Sequence, residues 1–245
     1  MLRSVRSEPP AVLVPPGALL GAGRVELEED ELHHLRVRRA REGEALRILD
    51  GAGATALGRL VKAGRGFAVE VETVSREPRP PGFSLAVGAG DRDRFAWLAE
   101  KAAELGVSDL VPMESERTRS VAAGLRPSHI PALQRRARQA IKQSRAPWSP
   151  RIHPLRSVDE VARETGSPYR WLGEVSGISP PEVDPDGAMT VVIGPEGGLT
   201  EAEREVFLAA GFEPVRLAPD LLRFETAALA AAAVVASRRP RRFAP

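Results

Sequence analysis

Two rhythms of apolar and polar positions divide the chain near residue 80. Upstream, segments 44–50, 56–61 and 68–74 alternate or cluster their apolar residues in short runs, the two-residue period of half-buried strands. Asp50 and Gly51 mark a turn after the first of them, and 31–41 is predicted as a short helix. Downstream, apolar strand runs alternate with helix-period segments: strand 84–88, helix 94–105, strand 107–113, a basic helix 128–145, a short helix 158–164 and strand 169–174. Two further strand and helix pairs complete the chain. The upstream pattern predicts a small β-rich, barrel-like module, and the downstream alternation predicts an α/β domain with a mainly parallel sheet. The proline-rich REPRPPG at 76–82 reads as the linker between a domain at 1–75 and one at 83–245.

The last two pairs carry the candidate chemistry. The apolar run 189–193 stops at the Gly-Pro-Glu-Gly-Gly turn 194–198, and Thr200 with Glu203 forms a capping box that starts a helix ending at Gly211. Strand 214–218, loop 219–223 and an alanine-rich helix over 224–237 follow. Ligands of open α/β sheets bind beyond the carboxyl ends of the strands, where two such loops fall side by side. The turn lacks both the Lys-Ser/Thr ending of a phosphate loop and the GxGxxG spacing of a dinucleotide turn. Its glycines instead allow bare backbone to meet a flat ligand such as adenosine. A glycine-rich turn alone is more often a tight connection; the second loop, with Leu221, Leu222 and Arg223, shifts the balance toward a site. Glu225 reads equally as a helix N-terminal charge and as a functional acid.

Composition narrows the function classes. With 245 residues, 42% of them hydrophobic, the chain can bury a real core in one medium and one small domain. It has no cysteine, which excludes disulfides, thiolate metal sites and a thiol nucleophile. His33, His34, His129 and His153 show no metal-ligand spacing, so no metal is expected. The N-terminus carries charge without an apolar stretch, and the longest apolar run, 227–236, is too short to span a bilayer. A cytoplasmic protein without a membrane segment is the expectation.

Net charge is only +2, yet residues 117–156 hold ten Arg or Lys and no acid, whereas 157–220 hold thirteen acids and four bases. A local basic face of this kind suits a polyanion better than a merely solvated helix. Arg135, Arg138 and Lys142 share one side of the helix 128–145, and Leu133, Ala137, Ala140 and Ile141 supply its apolar side. With Arg145, with Arg117, and with Arg36, Arg38 and Arg39 of the N-terminal module, they form the expected RNA-binding set. The tail Arg238, Arg239, Arg241, Arg242 reads as a solubilising end.

VVIGPEGGLTEAE followed by RLAPDLLRFETAALAA closely resembles the paired signature of the ribosomal RNA small subunit methyltransferase E family, in the SPOUT class of knotted methyltransferases. RFAWLAEKAAELGV at 94–107, SERTRS at 115–120, AIKQS at 140–144 and HHLRVRRAREGEALRILDG at 33–51 extend the resemblance over nearly the whole chain. It implies a PUA-like RNA-binding domain, a C-terminal domain with a deep trefoil knot, a homodimer, and S-adenosyl-L-methionine as donor. The implied reaction is methylation of N3 of one uridine in small-subunit (16S) ribosomal RNA, free or in the assembled 30S subunit. By position, the resemblance puts Gly194, Glu196 and Gly198 on a first cofactor loop. Leu217, Leu222, Arg223 and Ala227 fall on a second, and Leu172 beside the adenine. The chain departs from the family at Ala218, Pro219 and Asp220, where Gly-Pro-Arg is usual, and at Phe224, where Thr is usual.

The residues agree with that chemistry. Methylating pyrimidine C5 normally needs a cysteine nucleophile, whereas an imide nitrogen needs only to lose its proton and to be aligned. Arg223 is the expected stabiliser of uracilate charge, and Glu225 the expected proton acceptor or orienter of Arg223. The alternatives are another SPOUT enzyme, acting on a tRNA or a ribose 2′-hydroxyl, and a non-catalytic RNA-binding assembly protein.

Overall fold

The structure is a computed structural model that describes residues 8–21, 23–64, 66–118, 124–164 and 166–239. It divides into two compact units, Met1–Arg79 with Ile141–Ser149, and Pro80–Ala140 with Pro150–Pro245.

The first unit contains β1 (Ala11–Leu13), β2 (Arg24–Glu26), α1 (Glu29–Val37), β3 (Ala45–Leu49), β4 (Ala54–Ala63) and β5 (Gly66–Arg76). They form a five-stranded sheet in the order β1-β3-β4-β5-β2, antiparallel except for β1 on β3. Alternate residues of β3 and β4 point inward, so that Leu46, Ile48 and Leu60 join Val69 and Leu35 of α1 in a closed core. The three longer strands are those the alternation predicts. β1 and β2 are too short to show a period, and their partners define them: Val12 pairs with Ile48 and Val25 with Val69. The predicted helix 31–41 begins earlier and stops at Val37. Arg39 then takes φ +56°, and the Arg38 guanidinium reaches Glu44 at 2.7 Å.

Ile141–Ser149 belongs to this unit although it lies beyond the linker in sequence. Gly53 N–H donates to Pro147 O at 2.9 Å, Ser149 N–H to Gly51 O at 3.0 Å, and the Trp148 indole to Pro78 O at 3.2 Å. The Lys142 ammonium bonds the carboxylate of Glu31, whose side chain is 1% exposed, at 2.8 Å. Removing the cation takes a counter-charge away from a buried carboxylate. Lys142→Ala should therefore cost about 3 kcal/mol, at the low end for buried pairs because Lys142 itself is partly solvated. A urea midpoint that does not move refutes this.

The second unit contains β6 (Phe83–Gly88), α2 (Arg92–Glu104), β7 (Asp109–Glu114), α3 (Ile130–Ser144), β8 (Arg151–Ile152), β9 (Arg156–Ser157), α4 (Val158–Arg163), β10 (Tyr169–Ile178), β11 (Met189–Ile193), α5 (Glu201–Ala209), β12 (Glu213–Val215) and α6 (Phe224–Arg238). The last turn of α3 falls in the first unit. Every strand pairing is parallel, in the order β12-β10-β11-β6-β7-β8, with β9 also on β7. All five residues of β11 are buried, as a central parallel strand requires when helices cover both faces. α4 and α5 cover one face, where Ala86, Leu172 and Val192 meet Phe207, itself edge-on to Phe212 at 5.1 Å. α6 lies on β6 and β11 and packs against α2.

The first two arginines of the basic tail are structural, contrary to the solubilising reading. Arg238 donates to the carbonyls of Pro180 and Pro181 and stands 5.4 Å over the Trp171 ring. Arg239 donates to Pro81 O at 2.7 Å and Gly82 O at 3.0 Å and stands 5.5 Å over Phe83. Together they pin the end of α6 to segments that precede β6 and follow β10. Arg241 and Arg242 lie outside the described residues.

Candidate functional site

β12 follows β11 in the chain but pairs on the far side of β10. The carboxyl ends of these three neighbouring strands consequently open onto one cleft of about 500 Å³, within the range of small-molecule sites. One wall is the turn after β11 with Gly194, Glu196 and Gly198; the opposite wall is the loop after β12 with Leu217, Leu221 and Leu222. Leu172 to Ser176 of β10 form the third side, and Ala227 closes the base from α6.

The first loop is braced from several directions. Gly198 closes a tight turn, donating to Pro195 O at 2.8 Å with φ +72°, a conformation that favours glycine. Thr200 then caps α5: its hydroxyl accepts from Glu203 N–H at 3.3 Å, and Glu203 accepts from Thr200 N–H at 2.9 Å. The second Glu203 oxygen accepts from Glu116 N–H at 2.7 Å, which ties the turn to the segment after β7. From that segment Arg117 donates to Gly197 O. Behind the turn, Gly88 at the end of β6 leaves no room for a side chain: an added Cβ would lie 2.8 Å from Pro195 Cα. The Glu196 carboxylate covers Gly90 and lies 3.5 Å from Asp91 N, at the cap of α2.

Leu172, Gly194, Glu196, Gly198, Leu217, Leu222 and Ala227 thus meet at one cleft. Arg223 does not line it; it sits exposed at the start of α6, one residue beyond Leu222. Glu225 departs further from expectation. Its side chain is 11% exposed, its ion-pair partner is Arg94 of α2 at 3.7 Å rather than Arg223, and it is not part of the cleft wall. A carboxylate so enclosed ties α6 to α2.

The strand pattern missed Glu174 and Arg204. β10 runs four residues past its predicted end, and Glu174 accepts from Arg204 Nε at 2.8 Å inside the cleft wall. That hydrogen bond pushes the Arg204 guanidinium up from its ordinary value. The only sequence signal for the pair is an acid at a strand end; its partner lies thirty positions away, on a helix that packing alone brings near.

The expected RNA-binding residues fall into distinct environments. In the first unit, Arg36 pairs with Glu29 at 3.1 Å, Arg38 with Glu44, Lys142 with Glu31 and Arg145 with Glu8, while Arg39 is exposed without an ion pair among the described residues. Lys142 is committed to Glu31 and is not offered to phosphates. In the second unit, Arg135 is exposed, Arg138 is half-buried, and Arg117 is spent on the 194–198 turn. Among the described residues no group of three or more His, Asp or Glu is arranged to hold a metal ion, and no helix is long and apolar enough to cross a membrane.

Residues 77–236 match the family model described as an RNA methyltransferase domain, and residues 27–72 match the RNA methyltransferase PUA domain. The chain is 30% identical over 223 residues to the Ribosomal RNA small subunit methyltransferase E of Synechocystis sp., covering 86% of this chain and 72% of the relative. It is 27% identical over 213 residues to the protein of the same name from Aquifex aeolicus, covering 85% and 92%. A crystal structure of a Ribosomal RNA small subunit methyltransferase E from Neisseria gonorrhoeae bound to S-adenosyl methionine superposes with a TM-score of 0.84 at 27% identity, over 95% of this chain and 98% of that one.

Proposed function

Because the chain belongs to the ribosomal RNA small subunit methyltransferase E family, we propose that it uses S-adenosyl-L-methionine to methylate N3 of one uridine in small-subunit (16S) ribosomal RNA. The observation that carries the reading is the cleft. Three parallel strands present their carboxyl ends to it, and the turn that walls it is braced by Glu203, Arg117 and Gly88. Leu172, Leu217 and Leu222 offer an apolar slot for a purine, and the glycines at 194 and 198 let backbone approach the ligand. Glu174, whose Oε2 is buried without a hydrogen-bond partner among the described residues, adds to the wall a carboxylate suited to a ligand's hydroxyl or ammonium group. The relative from Neisseria gonorrhoeae, bound to S-adenosyl methionine, supports the same assignment.

When bound, the cofactor supplies an electrophilic methyl carbon on a positively charged sulfur. The chain's own residues must then align the base and favour its anion. Arg223, exposed beside the loop 217–222, is read as the cation that stabilises charge on the uracil oxygens as N3 loses its proton. Without cysteine the chain lacks the thiol adduct that C5 chemistry normally uses. A non-catalytic assembly protein has no use for such a cleft. In the same reading, the PUA-like unit binds RNA through a surface that includes Arg39, Arg135 contacts phosphate in the catalytic unit, residues 76–82 are the link, and the return of β12 beside β10 belongs to a C-terminal trefoil knot. A cytoplasmic location accompanies it.

The test is mass spectrometry of small-subunit ribosomal RNA from cells with and without the gene. One uridine-containing fragment should lose a single methyl group, mapping to N3, when the gene is absent. A methyl lost from a tRNA or from a ribose 2′-oxygen instead refutes the target.

A homodimer belongs to the proposal as well, since the small residues of α6 suit close packing against a second copy. Sedimentation at micromolar concentration should give twice the 26.4 kDa of one chain. A fully active monomer refutes that state.

A further inference from the structure

Beyond Gly173, β10 parts from β11 and continues to Ile178 against β12, with its register shifting between these two residues. The first side chain of that stretch, Glu174, lines the cleft and is 17% exposed. Its Oε1 is held by Arg204 Nε, and its Oε2 is buried with no hydrogen-bond partner among the described residues. An orphaned carboxylate oxygen is costly, and Glu174 stands in the wall of a cleft whose ligand can bring the missing donor once the carboxylate turns toward it. Arg204 does not supply it, because its Nη1 turns to Glu201 at 3.3 Å and Glu205 at 3.4 Å.

Position along the strand indicates which donor. Glu174 and Leu172 both line the cleft, two residues apart on one face of β10. A strand advances about 7 Å over two residues, roughly the distance from the base of a nucleoside to its ribose hydroxyls. We propose that Glu174 Oε2 accepts a hydrogen bond from a ribose hydroxyl of the cofactor's adenosine, with Arg204 as the positioning residue that holds the carboxylate. The assignment rests on reading the cleft as the S-adenosylmethionine site.

Titration calorimetry on the full chain tests it with S-adenosylhomocysteine, 5′-methylthioadenosine, and the 2′-deoxy and 3′-deoxy forms of the latter. The parent should bind at least one deoxy compound about tenfold more weakly than 5′-methylthioadenosine, as expected when a charged acceptor loses its donor. Glu174→Ala should bind all three thioadenosines alike. Glu174→Gln keeps the side-chain shape, and if the alanine variant does not fold it carries the same comparison with discrimination reduced to about threefold. Undiminished discrimination in the folded variants overturns the proposal. So does a loss confined to S-adenosylhomocysteine, which makes the amino-acid end the donor. If the parent binds no S-adenosylhomocysteine, the cofactor reading itself falls, and this assignment with it.

Discussion

Arg223→Ala should lower kcat by about two to three orders of magnitude, the scale seen when one preorganised group that stabilises developing charge is removed. Cofactor affinity and stability should hold. Arg223 is exposed, pairs with no acid among the described residues, and does not line the cleft. It also occupies the N-cap of α6, where a cation opposes the positive end of the helix dipole and makes no side-chain cap bond. A residue placed against the helix field without a structural partner serves something outside the fold, and loss of its charge should leave the melting temperature level or slightly raised. Single-turnover methylation of small ribosomal subunits, alongside calorimetry with S-adenosylmethionine, separates the outcomes. A variant that methylates at the parental rate would falsify the role given to Arg223; so would one whose defect is entirely a lost cofactor affinity.

Gly88→Ala should cost about 1–3 kcal/mol of stability and weaken cofactor binding more than tenfold. β6 is hydrogen-bonded between β11 and β7 and cannot retreat, so the added methyl displaces the backbone of Pro195 and with it the turn 194–198. Gly90→Ala serves as the comparison. Its Cβ would meet the Glu196 carboxylate, with Cδ at 2.9 Å, and a flexible side chain can swing aside where backbone cannot. Thermal melts with and without S-adenosylmethionine should rank Gly88→Ala well below Gly90→Ala. Equal cofactor-induced shifts in the two variants would show that Pro195 does not set the loop.

Much of the second unit could be read locally. The run Met189–Ile193, the turn after it and the Thr200–Glu203 box that opens α5 each lie within a dozen residues, and burial period and capping chemistry act over that range. The paired loop motifs likewise identified the family, because close backbone contact with a ligand restricts residue choice one position at a time. Three things needed the tertiary structure. β12 pairs with β10 instead of its sequence neighbour β11, and that choice turns two successive loops into facing walls and brings Glu174 to Arg204. Ile141–Ser149 joins the first unit through Glu31, Gly51 and Gly53, across about ninety to a hundred and ten positions, so Lys142, which helical spacing assigned to RNA, neutralises a buried acid instead. Arg238 and Arg239 look like a solubilising tail until the aromatic rings and carbonyls they clamp are known. Local pattern states which face of an element is apolar and where that element begins and ends; which elements meet depends on packing shared among segments far apart in the chain, and a charged side chain's role follows from the partner that this packing supplies.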